Sequence, residues 1–229
     1  MGNLREVMMK KKVGVILSGC GVSDGSEIHE SVITMLALDR VGAEMLLCAP
    51  DIEQMHVVNH LTGDVATGES RNVLVESARI ARGSIRDVKA VKADEIDALI
   101  LPGGFGAAKN LCDFAVQGSS CTVDDGVADL VRAVHAAGKP IAAVCIAPAL
   151  IARVLGSENP SLTIGSDFET AEALETMGAE HITCPVRECV IDEKHKIITT
   201  PAYMLAQSMA EAADGIEKTV QELMRLIES

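Results

Sequence analysis

The sequence predicts one doubly wound α/β domain, and three observations carry that expectation. Short aliphatic runs alternate with helix-length periodic segments along nearly the whole chain. Glycine-rich corners follow several of those runs. The chain is 229 residues long and 48% hydrophobic, with a mean hydropathy of +0.25, enough apolar surface to cover a sheet on both faces. Residues 1–11 are basic and read as a disordered leader, leaving residues 12–229 as a single domain.

Residues 12–17 form a buried-strand run, and Ser18-Gly19-Cys20-Gly21 turns the chain. Residues 28–40 follow as a helix, with Val32, Met35 and Leu36 at helical spacing and Gly42 closing it. Residues 44–49 make a second strand, stopped by Pro50. The polar stretch 51–70 is too long for an ordinary connection and reads as a functional flap, an inserted ribbon or a passive excursion. A helix is expected over 71–82, a strand over 96–101 ending at Pro102-Gly103-Gly104, and an amphipathic helix over 125–137 closed by Gly138. Residues 140–144 are an uncharged strand, 147–155 a helix, 162–164 a strand and 168–177 a helix. Two β runs, 181–191 and 196–199, flank Asp192-Glu193-Lys194-His195 as a small late hairpin, and 203–227 is mostly helical with a break or kink near Gly215.

Composition excludes several functions. With 33 acidic against 20 basic residues, net charge -13, the chain repels a phosphate backbone, and one Tyr, three Phe and no Trp leave no stacking platform for nucleic acid. No apolar run reaches the roughly 18 residues of a membrane span. Seven cysteines, an odd number without a C-x-x-C pair, fit neither a disulfide framework nor a zinc ribbon, so reduced thiols in the cytoplasm are expected. Cys184 and Cys189 share one segment, but no second Cys/His pair stands nearby, so no metal is expected there. Scattered apolar residues and the long terminal helix need cover, and a homodimer is the expected assembly.

In an open parallel sheet ligands gather at the carboxyl ends of the strands, which directs attention to three corners. After residue 144 comes Cys145-Ile146-Ala147-Pro148, with Ala143 and Ala147 two positions to either side of the cysteine. Small neighbours let the chain bend sharply and lift the thiol above the sheet, and Pro148 suits a first helical turn. A helix N-terminus under the sulfur predicts a thiolate near neutral pH. After residue 101, Gly103-Gly104 brings backbone N–H groups close to a ligand, so Gly104 and Ile146 are candidate oxyanion donors. At the third corner, Glu27 and Glu30 lie one turn apart at a helix start. Each is either a partner of the helix dipole or, beside the elbow sulfur, a partly protonated group able to move protons. His29 and His60 are candidate neighbours of the sulfur; Gly19-x-Gly21 lacks the spacing of a dinucleotide loop.

Together Val13-Gly14-Val15-Ile16-Leu17-Ser18-Gly19-Cys20-Gly21, Asp24-Gly25-Ser26-Glu27-Ile28-His29-Glu30, Asn59-His60-Leu61-Thr62-Gly63, Pro102-Gly103-Gly104-Phe105-Gly106, Lys109-Asn110-Leu111, Cys145-Ile146-Ala147-Pro148-Ala149 and Thr199-Thr200-Pro201-Ala202-Tyr203 resemble the ElbB glyoxalase family of the PfpI-like, class I glutamine-amidotransferase-like superfamily. The resemblance runs from about residue 12 to the end. It implies a flavodoxin-like sandwich, a nucleophile at Cys145 and an acid at Glu30, which fits the interval back from Gly42 better than Glu27, with Asn110 as an auxiliary candidate. PfpI-type peptidases carry His after the nucleophile where this chain has Ile146, and no late His-x-Glu pair completes a glutaminase triad. The expected activity is therefore a cofactor-free and metal-free, glutathione-independent conversion of small 2-oxoaldehydes (glyoxal, methylglyoxal) to 2-hydroxy acids. The alternative is a non-catalytic cysteine sensor of oxidants or electrophiles, or an accessory protein linked to isoprenoid biosynthesis; an amidotransferase-derived synthase subunit is disfavoured by the missing histidine.

Overall fold

The computed structural model describes residues 10–229. Of the expected leader only Lys10 and Lys11 fall among them, without regular secondary structure; the rest lies outside the described residues. In chain order the elements are β1 (Lys12–Ile16), α1 (Ile28–Arg40), β2 (Glu44–Ala49), α2 (Val73–Ile80), β3 (Arg86–Asp87), β4 (Ala98–Leu101), α3 (Phe105–Lys109), α4 (Phe114–Gln117) and α5 (Asp125–Ala136). There follow β5 (Ile141–Val144), α6 (Pro148–Leu155), β6 (Ser161–Leu162), α7 (Phe168–Thr176), β7 (Glu180–His181), β8 (Val190–Asp192), β9 (Ile197–Thr200) and α8 (Met209–Ile227).

Seven strands share one sheet in the order β3-β2-β1-β4-β5-β9-β8, parallel except for β8 against β9; β6 and β7 form a separate parallel pair. Strand order reverses between β1 and β4, opening a crevice at the carboxyl ends. Because β1, β4 and β5 are neighbours in register, the three corners singled out in the sequence lie side by side. Alternation along the strands builds two cores. Leu99, Leu101, Ile141 and Ala143 face α5 and α6, while Val13, Val15, Ile100 and Ala142 share the other core with Leu38 of α1 and Val220 and Leu223 of α8.

Helix α1 turns an unusual face inward. Glu30, Ser31, Thr34, Ala37 and Leu38 are buried, whereas Ile28, Val32 and Leu36 stand exposed on the outer side. Residues 51–72 leave the sheet as an excursion closed by isolated antiparallel bridges, Glu53 with Asn72 and Val58 with Val65. It braces the first corner: Val58 N–H donates to Asp24 at 2.7 Å and the Gln54 amide to the Asp24 carbonyl at 3.1 Å.

Three expectations are corrected. The run 181–191 is not one strand but β7, a loop and β8, because only its last residues reach β9. The terminal helix begins at Met209 and not at residue 203, since Ala202–Met204 is a single 3₁₀ turn held by its own backbone bonds. It runs unbroken through Gly215, whose missing side chain admits close contact: a Cβ there would meet the Val186 carbonyl at 2.6 Å and the Thr200 hydroxyl at 2.7 Å.

Gly106 of α3 is packed in the same way, with a Cβ falling 2.5 Å from the backbone of both Gly25 and Ser18. Gly106→Ala is therefore expected to cost about 1–3 kcal/mol, lowering the thermal midpoint by about 5 °C in a chain of this size. An unchanged midpoint in calorimetry would show that these corners are not rigidly locked.

Candidate active site

Strand β5 ends at Val144 and α6 starts at Pro148, so only three residues make the bend between them. Cys145 takes a φ of +62°, a left-handed conformation that costs a non-glycine residue about 1–3 kcal/mol. Its N–H is fixed to the Thr200 carbonyl at 2.9 Å, and Ala143 and Ala147 are fully buried around it. The residue is 8% exposed.

Glu30, wholly buried one turn into α1, points at the same spot. Its Oε2 accepts the Gly103 N–H at 3.0 Å and its Oε1 the Tyr203 N–H at 3.1 Å, and the Cys145 sulfur lies on the same side of Gly103 as the carboxyl. Gly103 is what permits the approach. A Cβ on it would lie 2.6 Å from Glu30 Oε2 and 3.0 Å from Cys145 Sγ, so any side chain there would displace the pair. The corners interlock further: Glu27 N–H donates to the Gly103 carbonyl at 2.9 Å, and Gly104, at φ +97°, passes so near that a Cβ would meet Glu27 N at 2.3 Å.

Burial pushes the Glu30 carboxyl up to about 7, with the neighbouring Glu27 adding to the rise and the Tyr203 and Gly103 amides opposing it. Burial also pushes the Cys145 thiol well up, and the Glu30 charge raises it further, while the Gly104 and Ile146 amides favour the ionised sulfur. The resting thiolate expected from the helix N-terminus is thus corrected. Desolvation of a sulfur next to an acid outweighs the dipole of an eight-residue helix, and near pH 7 the pair carries at most one negative charge.

The other candidates separate by place. Glu27 caps α1, accepting the Glu30 N–H at 2.6 Å, and also lines the cleft above the sulfur. Gly104 and Ile146 line that cleft too, and their amides act on the sulfur itself. His29 is exposed, with Nδ1 2.9 Å from the Tyr203 hydroxyl. His60 is outside the cleft lining: its Nδ1 lies 3.0 Å from the Val58 carbonyl and its Nε2 takes the Ser23 N–H at 3.2 Å. Asn110 is equally outside, tying Ser18, Asp24 and Met55 together through bonds of 2.9 Å. Among the described residues no cluster of three or more His, Cys, Asp or Glu is placed to hold a metal ion.

Sequence reasoning missed Tyr203. Its N–H reaches Glu30 because Ala202 adopts φ +43°, and its ring lines the cleft. The cleft holds about 410 Å³; Val22, Phe105, Phe114, Ile146 and Met204 form its apolar wall, and Glu27, Asp167, Thr170 and Tyr203 its polar one.

A cysteine elbow facing a buried glutamate at the switch point of a parallel sheet defines an α/β protein of the glutamine amidotransferase-like fold. The chain belongs to the DJ-1/PfpI family, whose model matches residues 20–212; the family includes glyoxalase-like members. The human glutamine amidotransferase-like class 1 domain-containing protein 3, mitochondrial, is 46% identical over 94% of this chain and 83% of its own length. The rat ES1 protein homolog, mitochondrial, is 44% identical over 95% of this chain and 84% of its own. Among solved structures, an isoprenoid biosynthesis protein with amidotransferase-like domain from Ehrlichia chaffeensis superposes with a TM-score of 0.88 at 37% identity, covering 94% of this chain and 99% of that one. The cytoplasmic expectation is overturned by these mitochondrial relatives. Unpaired thiols do not distinguish one reducing compartment from another.

If Glu30 governs the thiol, alkylation of Cys145 by iodoacetamide should accelerate as pH rises through about 7, where the carboxyl becomes available to take the proton. In Glu30→Gln that inflection should vanish. A profile unchanged by the substitution would show that the two groups are uncoupled.

Proposed function

We propose that this protein is a glutathione-independent glyoxalase of the ElbB type, converting 2-oxoaldehydes to 2-hydroxy acids without a cofactor. The observation that carries the reading is the shared placement of Glu30 Oε2 and Cys145 Sγ around Gly103. The Ehrlichia relative, an isoprenoid biosynthesis protein by its name, supports the ElbB assignment.

Glu30, poised near neutrality, takes the thiol proton as Sγ bonds to the aldehyde carbon, and returns it to the oxygen to give a hemithioacetal. The same carboxylate then removes the hydrogen on the former aldehyde carbon and delivers it to the neighbouring carbonyl carbon through an enediol. The first carbon is oxidised to a thioester and the second reduced to an alcohol, so no outside oxidant or reductant is consumed. Water cleaves the thioester, releasing the acid and restoring the thiol. Negative charge on the substrate oxygen falls to the Gly104 and Ile146 amides. No histidine is needed because the carboxyl has the pKa of one.

The rival reading as a redox or electrophile sensor requires an exposed, low-pKa thiol. Cys145 is nearly buried and its thiol is held up, which favours attack on a small bound aldehyde over random oxidation. We also propose a homodimer, supported by the outward stripe Ile28, Val32 and Leu36 on α1, 43%, 49% and 42% exposed.

Cys145→Ala should abolish 2-hydroxy acid formation from methylglyoxal, at least 10³-fold by analogy with other nucleophile deletions, without lowering the thermal midpoint. Persistent turnover in that variant would refute the reading. Leu36→Glu should sediment at monomer mass, and an unchanged mass would remove α1 from the interface.

A further inference from the structure

The chain contains three phenylalanines, one tyrosine and no tryptophan, and none of these rings is fully buried, although Phe114 and Tyr203 pack against the core. Three of the four nevertheless meet at one place. Phe105, Phe114 and Tyr203 line the cleft over Cys145, whereas Phe168, next to Asp167 at the start of α7, does not. Phe105 is 52% and Phe168 77% exposed. Phe105, which packs against no core cluster, and the cleft-facing sides of Phe114 and Tyr203 are placed for contact with a ligand.

Charge sharpens the selection. The acids Glu27 and Asp167 line the cleft and no lysine or arginine does. Hydrogen bonds from Thr170 hold Asp167 below the usual carboxylate range, so it is ionised at neutral pH. Lys109 lies over the Phe105 ring, 4.9 Å from its centroid, but its ammonium donates to the Ser23 carbonyl at 3.0 Å and it is not part of the lining. A volume of about 410 Å³ lies within the range of pockets for ligands far larger than a two-carbon dialdehyde.

We infer that the cleft selects uncharged 2-oxoaldehydes bearing an apolar substituent, seated against Phe105 and Phe114, and that Glu27 and Asp167 reject analogues carrying a carboxylate. The inference rests on the glyoxalase reading for its reaction: one aldehyde R-CO-CHO and one water give R-CH(OH)-COO⁻ and a proton, the aldehyde carbon oxidised and the ketone carbon reduced. The binding preference itself depends only on the cleft.

The test compares kcat/KM for phenylglyoxal and glyoxal in the wild type, Phe114→Ala and the more exposed Phe105→Ala. The wild-type ratio is expected to exceed about 10, and to fall several-fold towards one in either variant. A wild-type ratio near one, or a ratio that survives both substitutions while glyoxal is consumed, overturns the inference and leaves the glyoxalase reading standing. Should neither aldehyde be consumed, the glyoxalase reading fails, and alkylation of Cys145 decides the cleft's preference. Relative to free glutathione, N-benzylmaleimide should then outpace N-methylmaleimide, and iodoacetamide outpace iodoacetate, each by about tenfold or more. Ratios equal to those of glutathione overturn the inference.

Discussion

A carboxyl and a thiol that meet out of water cannot both give up a proton, and the arrangement of this protein follows from that constraint. Glu30 is completely buried, Cys145 nearly so, and the pair sits where three strand ends converge. In bulk solvent a carboxylate is too weak a base and a thiol too weak an acid for useful exchange at neutral pH. Burial moves the carboxyl up to about 7, where one proton can pass between sulfur, carboxyl and substrate at little cost.

Holding such a pair demands strain and bracing. Cys145 and Ala202 both occupy positive φ without being glycine, and each sets one contact of the pair: the first aims the sulfur, the second turns the Tyr203 N–H towards Glu30. The cost, about 1–3 kcal/mol per residue, is carried by a sheet whose central strands β1, β4 and β5 are buried on both faces. The excursion 51–72 contributes from a distance. It grips Asp24 and Asn110, and Asn110 in turn holds the Ser18 and Asp24 carbonyls of the corner that leads into α1.

Much of this was legible in the residues. Ala143, Ala147 and Pro148 announce a sharp bend around Cys145, because small side chains and a missing amide are what such a bend requires. Aliphatic runs and their glycine corners sufficed for the parallel sheet. Glu27 and Glu30 were harder to tell apart, since both are acids in a first helical turn; one does cap the helix, and only the family's interval to Gly42 singled out the other. Ala202 and Tyr203 belong to a motif of the family, but their role at the site was not legible, because nothing in an alanine advertises a left-handed φ. Gly215 misled for the opposite reason: a helix glycine can mark a break or a close approach, and only the neighbouring Val186 and Thr200 decide which. The thiol's protonation was misjudged because a helix terminus is visible in sequence whereas desolvation is not.

The central claim is that the single charge of the pair resides mainly on Glu30 and appears near pH 7. Infrared difference spectra of the wild type against Glu30→Gln, read together with the ultraviolet thiolate band of the wild type against Cys145→Ala across the same titration, test it directly. The account predicts a carboxylate band growing through about pH 7 with no thiolate absorbance at Cys145 in that interval. A thiolate already fully formed at pH 6, with Glu30 still protonated above pH 8, would contradict it.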